Sequence, residues 1–236
     1  MAGGTLYLIP VPLGDNATDE VLPAAVLERT RRLAHFVAEH AKSARAFLKA
    51  VGHPLPLQQI AIDELNEHTR DSQLAALLAP LRAGHDLGLV SEAGCPAVAD
   101  PGANLVALAQ REGIRVVPLV GPSSILLALM ASGLSGQNFA FYGYLPAKED
   151  ERRKRLKELE AESRKAARTQ IFIETPYRNR QMLETLLATC AEQTRLCIAT
   201  DVTLPGERIA AHTIAEWRKK EAPEIDRRPT VFLLLG

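Results

Sequence analysis

Short apolar runs alternate with longer amphipathic stretches along most of this chain, and this alternation limits the folds open to it. Strands that alternate with helices of this length indicate βαβ units and a mostly parallel sheet, so the predicted fold class is α/β. In the first half, the predicted strands are Thr5–Val11, His35–Ala38, Gln58–Ile62, Asp86–Ser91 and Arg115–Val120. The predicted helices between them are Val21–Arg32, Ala41–Val51, Asp71–Ala83 and Ala103–Glu112.

A second series of the same kind follows a turn near residues 119–122. We therefore expect two α/β lobes, 1–120 and 121–236, with a cleft between them as the default place for a ligand. The predicted strands of the second lobe are Asn138–Tyr142, Thr169–Glu174, Arg195–Thr200 and Thr230–Leu235. Its predicted helices are Ser123–Ala131, Glu149–Ala167, Arg178–Cys190 and Thr213–Glu221.

Composition excludes several classes of protein. With 236 residues, 47% hydrophobic and 24% charged, the chain is typical of a soluble globular protein rather than a disordered one. The 28 basic and 28 acidic residues cancel, so no global attraction to nucleic acid is expected, although a local basic surface stays possible. Three cysteines without a C-x-x-C pair predict neither a disulfide framework nor a metal site. No membrane span or signal peptide is predicted, so we expect a cytoplasmic protein.

Three loops that follow predicted strands carry the most chemical information. Residues 10–15 read PVPLGD, and two prolines leave too few N–H donors for a pyrophosphate cradle, so this loop is either a ligand wall or a rigid strand exit. Residues 91–102 read SEAGCPAVADPG, whose small side chains let a ligand approach the backbone. Residues 120–124 read VGPSS and open a helix, which serves either helix capping or ligand contact.

Two further segments have two interpretations each. The aromatic run 139–146, FAFYGYLP, is either a strand in the core or a platform of rings for a base or another planar substrate. The charged run 149–168 is either a solvated helix with ion pairs one turn apart or a basic lid over an anionic substrate. The sequence alone leaves both alternatives open.

Taken in order, these loops resemble the tetrapyrrole methylase family of S-adenosylmethionine-dependent methyltransferases. Within the family they are most similar to the branch that methylates a cytidine ribose 2′-oxygen of small-subunit rRNA. The likeness covers nearly the whole chain. The motifs that carry it are LYLIPVPLGD (6–15), SEAGCPAVADPG (91–102), GIRVVPLVGPSS (113–124), FAFYGYLPAK (139–148) and TQIFIETPYR (169–178).

The resemblance implies an S-adenosylmethionine site in the cleft between two α/β lobes, no metal, and a homodimer. It also implies rRNA or a ribosomal subunit as the partner. Carried over residue by residue, the donor site consists of Pro12, Leu13, Gly94, Cys95, Pro96, Val98, Ser123, Ser124, Glu174, Thr175, Ala199 and Thr230.

Substrate-facing positions depart from that branch. It reads S-D-A-G-T-P where residues 91–96 read SEAGCP, and E-S-P-H-R where residues 174–178 read ETPYR. A hydroxyl acceptor needs a base; Glu67 is the first candidate because Asn66-Glu67 match an Asn-Glu pair of the branch, and Glu39 is the second. Two other functions stay open: methylation of a small planar, tetrapyrrole-like molecule, and a non-catalytic module that only binds the donor.

Overall fold

The computed structural model describes residues 3–66 and 69–236. The chain divides into two compact units, Met1–Ser123 and Ser124–Gly236, which we call the N-terminal and C-terminal units. Each unit has its own five-stranded sheet within the described residues. The division into domains at 120 and 121 stays a prediction, since it concerns which parts fold independently.

The N-terminal unit is built on a parallel sheet, as the alternating pattern predicted. The strand order is β3-β2-β4-β1-β5, and every pairing between neighbours is parallel. The central strands are apolar on both faces because helices cover both sides of such a sheet. Its strands are β1 (Thr5–Ile9), β2 (His35–Ala38), β3 (Ala61–Glu64), β4 (Leu87–Val90) and β5 (Arg115–Pro118).

Helices connect these strands and pack apolar side chains against the sheet. Gly84 and Gly113 follow two of them with φ of +88° and +69°, the left-handed conformation that ends a helix at glycine. The helices are α1 (Thr18–Val21), α2 (Ala24–Arg31), α3 (Ala41–Ala50), α4 (Asp71–Leu77), α5 (Ala79–Arg82) and α6 (Gly102–Arg111). Fully buried side chains such as Phe36, Leu48 and Leu105 lie on either side of the sheet, each contributing about 1.5–3 kcal/mol by burial.

The C-terminal unit has a mixed sheet, whereas the sequence pattern predicted a mostly parallel one. The strand order is β6-β7-β10-β8-β9; β6 and β7 are parallel, and the other three pairings are antiparallel. Phe172 and Phe232 stack at 5.8 Å across one antiparallel pair in its core. The strands are β6 (Phe139–Tyr144), β7 (Thr169–Ile173), β8 (Arg195–Thr200), β9 (Arg208–Thr213) and β10 (Thr230–Leu235).

Four helices of the C-terminal unit are found in its described residues: α7 (Ser124–Ser132), α8 (Glu149–Ala166), α9 (Asn179–Thr189) and α10 (Ile214–Trp217). Helix α8 is the charged run, and it is a solvated helix with a buried inner face. Arg153 pairs with Glu149 at 2.5 Å on its outer side, whereas Leu156 and Leu159 are fully buried. None of the described helices is both long and apolar enough to cross a membrane.

Three sequence-based assignments of elements need correction. Strand β9 was not predicted: its sequence, RIAAHT, contains two alanines of weak strand propensity, and pairing with β8 makes it a strand. The predicted helix Thr213–Glu221 accordingly shortens to α10. The strand predicted at Gln58–Ile62 lies further along as β3, because Pro56 starts a 3-10 turn at Leu57–Gln59.

Candidate functional site

The three glycine- and proline-bearing loops of the N-terminal unit meet at one edge of its sheet. They follow β1, β4 and β5, and these strands are adjacent in the order β4-β1-β5. Because all three strands are parallel, their carboxyl ends lie at the same edge, where ligands of open α/β sheets bind. The sequence therefore placed these loops correctly with respect to the sheet.

Backbone hydrogen bonds join the first two loops. The Val11 N–H donates to the Gly94 carbonyl at 2.9 Å, and the Gly94 N–H donates to the Val11 carbonyl at 3.1 Å. Gly94 has a φ of +71°, and a Cβ built there would lie 3.1 Å from Leu13 Cδ2. Glycine is required here both by its conformation and by the close approach of the first loop. Pro12 and Leu13 are half-buried beside it.

The third loop contacts the second through Cys95. The Cys95 thiol lies 3.4 Å from the Pro122 carbonyl, one residue before Ser123. Burial raises the pKa of this half-buried thiol above its ordinary value, which disfavours the reactive thiolate form. A Cβ at Gly121 would overlap the Pro10 ring, which shows how tightly the first and third loops pack.

The second loop closes on an aspartate. Asp100 Oδ1 accepts hydrogen bonds from the N–H groups of Ala97 at 2.9 Å and Gly102 at 2.7 Å. Ala97 and Ala99 both have positive φ, near +60°, a strained conformation that this carboxylate holds in place. Burial raises the pKa of Asp100, and the two backbone hydrogen bonds oppose that shift. Val98, which lies between the two alanines, is exposed, whereas Pro96, directly before them, is buried.

A pocket of about 310 Å³ opens beside the first two loops. It is lined by Pro12 and Gly14 from the first loop, Ser43 from α3, and Glu92 from the second loop. The Glu92 carboxylate accepts a hydrogen bond from Ser43 Oγ at 2.8 Å and lies 3.4 Å from Nδ1 of His40. Glu92 departs from the family motif in sequence, and its contact was not predicted because only the adjacency of β2 and β4 creates it.

The structure describes one of the two candidate bases, Glu39. Glu39 directly follows β2, is half-buried, and lines a small cavity together with Asp100 and Gly102. Glu67 lies outside the described residues. Both assignments as bases stay predictions.

The donor-site residues predicted in the C-terminal unit lie at one edge of the second sheet. Val231 is in register with Ile173 on one side and with Ala199 on the other. Glu174 therefore leaves β7 next to the start of β10, at Thr230, and the end of β8. Because β10 runs antiparallel to β7 and β8, its first residues lie beside the last residues of those two strands.

Glu174 is the best-defined charged group at this edge. Its side chain is fully buried, and Oε1 accepts hydrogen bonds from Arg178 Nε at 3.0 Å and Nη2 at 2.7 Å. The same oxygen accepts from the Thr175 N–H at 2.7 Å and from Thr175 Oγ1 at 3.1 Å. The other oxygen, Oε2, is buried without a hydrogen-bond partner in the described part of the chain. A buried carboxylate oxygen without a donor is unfavourable unless a ligand supplies one.

Hydrogen bonds from Asn179 fix Thr230. Asn179 Nδ2 lies 3.2 Å from Thr230 Oγ1 and 2.7 Å from the Arg228 carbonyl. The Thr230 hydroxyl lies 3.3 Å from Thr200 Oγ1, while Ala199 is fully buried in β8. The role of Asn179 was not predicted from the sequence, because a buried amide that bonds to residues far along the chain has no short motif.

The residues present fit an adenosyl-sulfonium donor on chemical grounds. Gly94 and Gly121 leave backbone open where a Cβ would collide, and the loop has apolar walls at Leu13 and Cys95. Small and apolar groups beside a helix start suit a ligand that has an adenine and an amino-acid end but no phosphates. A group of three or more metal-ligating side chains is absent from residues 3–66 and 69–236.

Together, the parallel sheet and the loops gathered at the carboxyl ends of its strands define an α/β protein with a ligand site at those ends. The chain belongs to the Tetrapyrrole (Corrin/Porphyrin) Methylases family, whose profile matches residues 5–217. The family and the α/β fold with two units, both inferred from the sequence motifs, are thereby confirmed. The protein is a methyltransferase.

Some known proteins are similar to this chain in sequence, and others are similar in structure. The chain is 34% identical to "Ribosomal RNA small subunit methyltransferase I" of Escherichia coli O157:H7, over 92% of this chain and 73% of that protein. It is 33% identical to the protein of the same name in Pseudomonas aeruginosa, over 92% and 72%. The crystal structure of the methyltransferase CobJ has a TM-score of 0.63 at 19% identity, covering 99% of this chain and 94% of that one, and so shows the fold alone.

Proposed function

We propose that this protein transfers a methyl group from S-adenosylmethionine to a ribose 2′-oxygen of small-subunit rRNA. The observation that carries the proposal is the similarity, over 92% of the chain, to relatives named for methylation of small-subunit rRNA. The meeting of the 10–15, 91–102 and 120–123 loops at one sheet edge supports it independently, since a family methyltransferase needs such a donor site.

In this proposal, the N-terminal loops hold the donor by shape and by backbone groups. S-adenosylmethionine, when bound, supplies a methyl carbon already activated by positive sulfur, so that an O–C bond forms as the C–S bond breaks. Leu13, Gly94 and Cys95 form an apolar wall that excludes water, and Ser123 and Ser124 lie at a helix start. Alignment of this kind supplies a large part of the rate, because the reacting atoms no longer have to find each other.

The acceptor hydroxyl must lose its proton as the oxygen is methylated. Glu39, directly after β2, and Glu67, which lies outside the described residues, are the carboxylates that we assign to this step. The contribution of Glu174, Thr175, Ala199 and Thr230 to the donor site stays a prediction, to be tested by separate variants. Pro96, Val98 and Pro12 belong to the same predicted set.

The test uses purified protein, labelled S-adenosylmethionine and small ribosomal subunits from a strain without the corresponding methylation. We expect methyl incorporation into rRNA, and resistance of one phosphodiester to alkali, because a 2′-O-methyl group blocks that cleavage. Gly121→Ala, whose Cβ overlaps the Pro10 ring, should lose most of this activity. Methylation of a porphyrin-type substrate with none on rRNA would refute the proposal.

A homodimer and a cytoplasmic location complete the proposal. Helix α7 is apolar around its whole circumference, yet Met130 is 78% exposed and Leu126 is 50% exposed. Exposed apolar faces of this kind mark protein interfaces. Light scattering on the purified protein should give twice the chain mass, and Met130→Glu should lower it. A cytoplasmic location follows from a ribosomal substrate.

A further inference from the structure

Two tyrosines lie exposed at the edge of the second sheet, and the proposed chemistry uses neither. Tyr177 is 71% exposed and Tyr144 is 59% exposed. Strands β6 and β7 are parallel, and Tyr144 is in register with Ile173, so Tyr144 ends beside the segment that carries Tyr177. We call these two residues the tyrosine pair.

The backbone turns both rings outward. The register of β6 shifts between Phe141 and Tyr144, where Gly143 has a φ of +66°, and such a bulge re-aims the next side chain. Tyr177 lies in the 3-10 turn Pro176–Arg178, directly after β7. Aromatic side chains are ordinarily buried for their large apolar area, so two exposed rings on neighbouring strand ends indicate a contact surface.

A fixed cation lies against this surface. The Arg178 guanidinium lies 5.4 Å from the centroid of the Tyr177 ring, and Glu174 holds it through two hydrogen bonds. The hydrogen bonds that Arg178 donates to Glu174 raise the pKa of Arg178, with smaller contributions from Tyr177 and Tyr144. The buried carboxylate thus makes the position of Arg178, and with it one face of Tyr177, rigid.

A second cation stands beside the pair without a carboxylate partner. The Arg227 N–H donates to the Pro176 carbonyl at 3.1 Å, which fixes this residue next to Tyr177. Its φ is +58°, and its exposed side chain makes no ion pair with any residue in the described ranges. An exposed arginine next to exposed aromatic rings matches the chemistry of a nucleotide, a phosphate next to a planar base.

We propose that the tyrosine pair stacks on an unpaired base of the RNA substrate while Arg227 contacts the phosphate beside that base. This inference rests on the proposed function and adds to it the residues that select single-stranded RNA. Stacking on tyrosine tolerates any base, because every base has a π-face. Zero net charge provides no overall attraction to RNA, so in this proposal local stacking and one or two phosphate contacts contribute to the affinity.

The experiment measures binding of a short single-stranded RNA that carries 2-aminopurine, whose fluorescence is quenched by stacking. We expect quenching with the wild-type protein, and binding about tenfold weaker or more with Tyr177→Ala, the effect of losing one stacked base. Tyr177→Phe keeps the ring and should bind as the wild type does. Phe139→Ala removes an exposed ring from the opposite end of β6 and is the matched control.

Arg227 has a separate readout. Arg227→Gln should weaken binding and lower the slope of log affinity against log salt by about 1, because one phosphate contact is lost. Arg195→Gln, an exposed arginine at the start of β8, should leave the slope unchanged. Unfolding temperatures of all variants show whether a loss of binding reflects a loss of fold.

The outcomes separate this inference from the proposed function. If Tyr144→Ala and Tyr177→Ala bind the probe as tightly as the wild type, or if an RNA duplex competes as well as a single strand, the tyrosine pair does not read RNA. Methyl incorporation by the wild type into ribosomal subunits, measured in parallel, decides the function on its own. Probe binding through the tyrosines without methyl transfer would support the inference and refute the function.

Discussion

Val11 and Gly94 exchange two backbone hydrogen bonds, at 2.9 and 3.1 Å, and form an antiparallel bridge outside the strands of the parallel sheet. The bridge connects the loop after β1 to the loop after β4, although 83 positions separate the two residues. It fixes the height of the second loop above the sheet, and with it the position of Cys95. Donor affinity should therefore depend on the backbone at Gly94.

Gly94→Ala tests this dependence. A non-glycine residue at φ +71° loses about 1–2 kcal/mol of stability, and the new Cβ also displaces Leu13. Gly113→Ala, at φ +69° with open space around the Cβ position, has the same conformational cost alone. Denaturant unfolding should show similar losses of stability, whereas calorimetry with S-adenosylhomocysteine should show weaker binding only for Gly94→Ala. Equal affinities for the ligand would remove Gly94 and Leu13 from the donor site.

Asp100 holds two strained alanines, and its removal should destabilise the second loop. Asp100→Ala leaves the N–H groups of Ala97 and Gly102 without an acceptor, which costs about 1–3 kcal/mol in the free energy of unfolding. Asp100→Asn keeps the acceptor and removes the charge, so it should retain most of the stability. Chemical unfolding of the three proteins at neutral pH measures both differences.

The pH dependence of the same pair of proteins has a definite sign. Burial raises the pKa of Asp100 in the folded state above its unfolded value, so the folded protein penalises the ionised form. The stability associated with this group is complete below the unfolded pKa of about 3.9 and is lost as the pH rises through the folded pKa. Asp100→Asn should therefore gain stability relative to the wild type from acid to neutral pH. A constant difference across this range would contradict the assignment.

Cysteine reactivity reports on the donor loops. Burial raises the pKa of both Cys190 and Cys197 to about 12, so neither should react with iodoacetamide in the folded protein near pH 8. Cys95 is half-buried with a raised pKa and should react slowly, faster as the pH increases. Saturating S-adenosylhomocysteine should suppress this labelling, as followed by mass spectrometry, and Cys95→Ser should abolish it. Labelling of Cys95 at an unchanged rate with the ligand bound would place the donor elsewhere.

The Glu174–Arg178 pair should couple more strongly than an exposed pair. Hydrogen bonds to a charged group contribute about 1.5–3 kcal/mol, and Glu174 is fully buried. A double-mutant cycle with Glu174→Gln and Arg178→Gln should show coupling above 1 kcal/mol, roughly. The matched cycle on Arg180 and Asp226, which are both exposed and 2.6 Å apart, should give about 0–1 kcal/mol. Equal coupling energies would mean that Arg178 is not held in place by Glu174.

The sequence predicted those parts of the fold that depend on local pattern. Strands β2, β8 and β10 have the predicted bounds, because a buried strand appears as an apolar run between turn residues. A local apolar run does not indicate strand direction. The mixed second sheet could therefore not be predicted, since long-range contacts decide the antiparallel pairing of β10. Strand β9 was missed for the same reason.

The candidate site also contains residues that a local sequence pattern predicts and contacts that it does not. Gly94 and the 120–124 loop were singled out because glycine and proline mark turns and close backbone contacts that can be recognised in the sequence itself. The contact of Glu92 with His40 and the amide of Asn179 between Arg228 and Thr230 were not predicted. They join residues from separate strands, and only the strand order makes them neighbours.

Glycines 84 and 113 end helices and lead into β4 and β5, at the amino ends of those strands. The loops assigned to binding in the N-terminal unit lie at the carboxyl ends of the strands, so these two turns take no part in ligand binding. Short surface connections of this kind accept inserted sequence readily. They are accordingly suitable places to splice in a fluorophore-binding tag or a surface tether while the ligand loops keep their geometry.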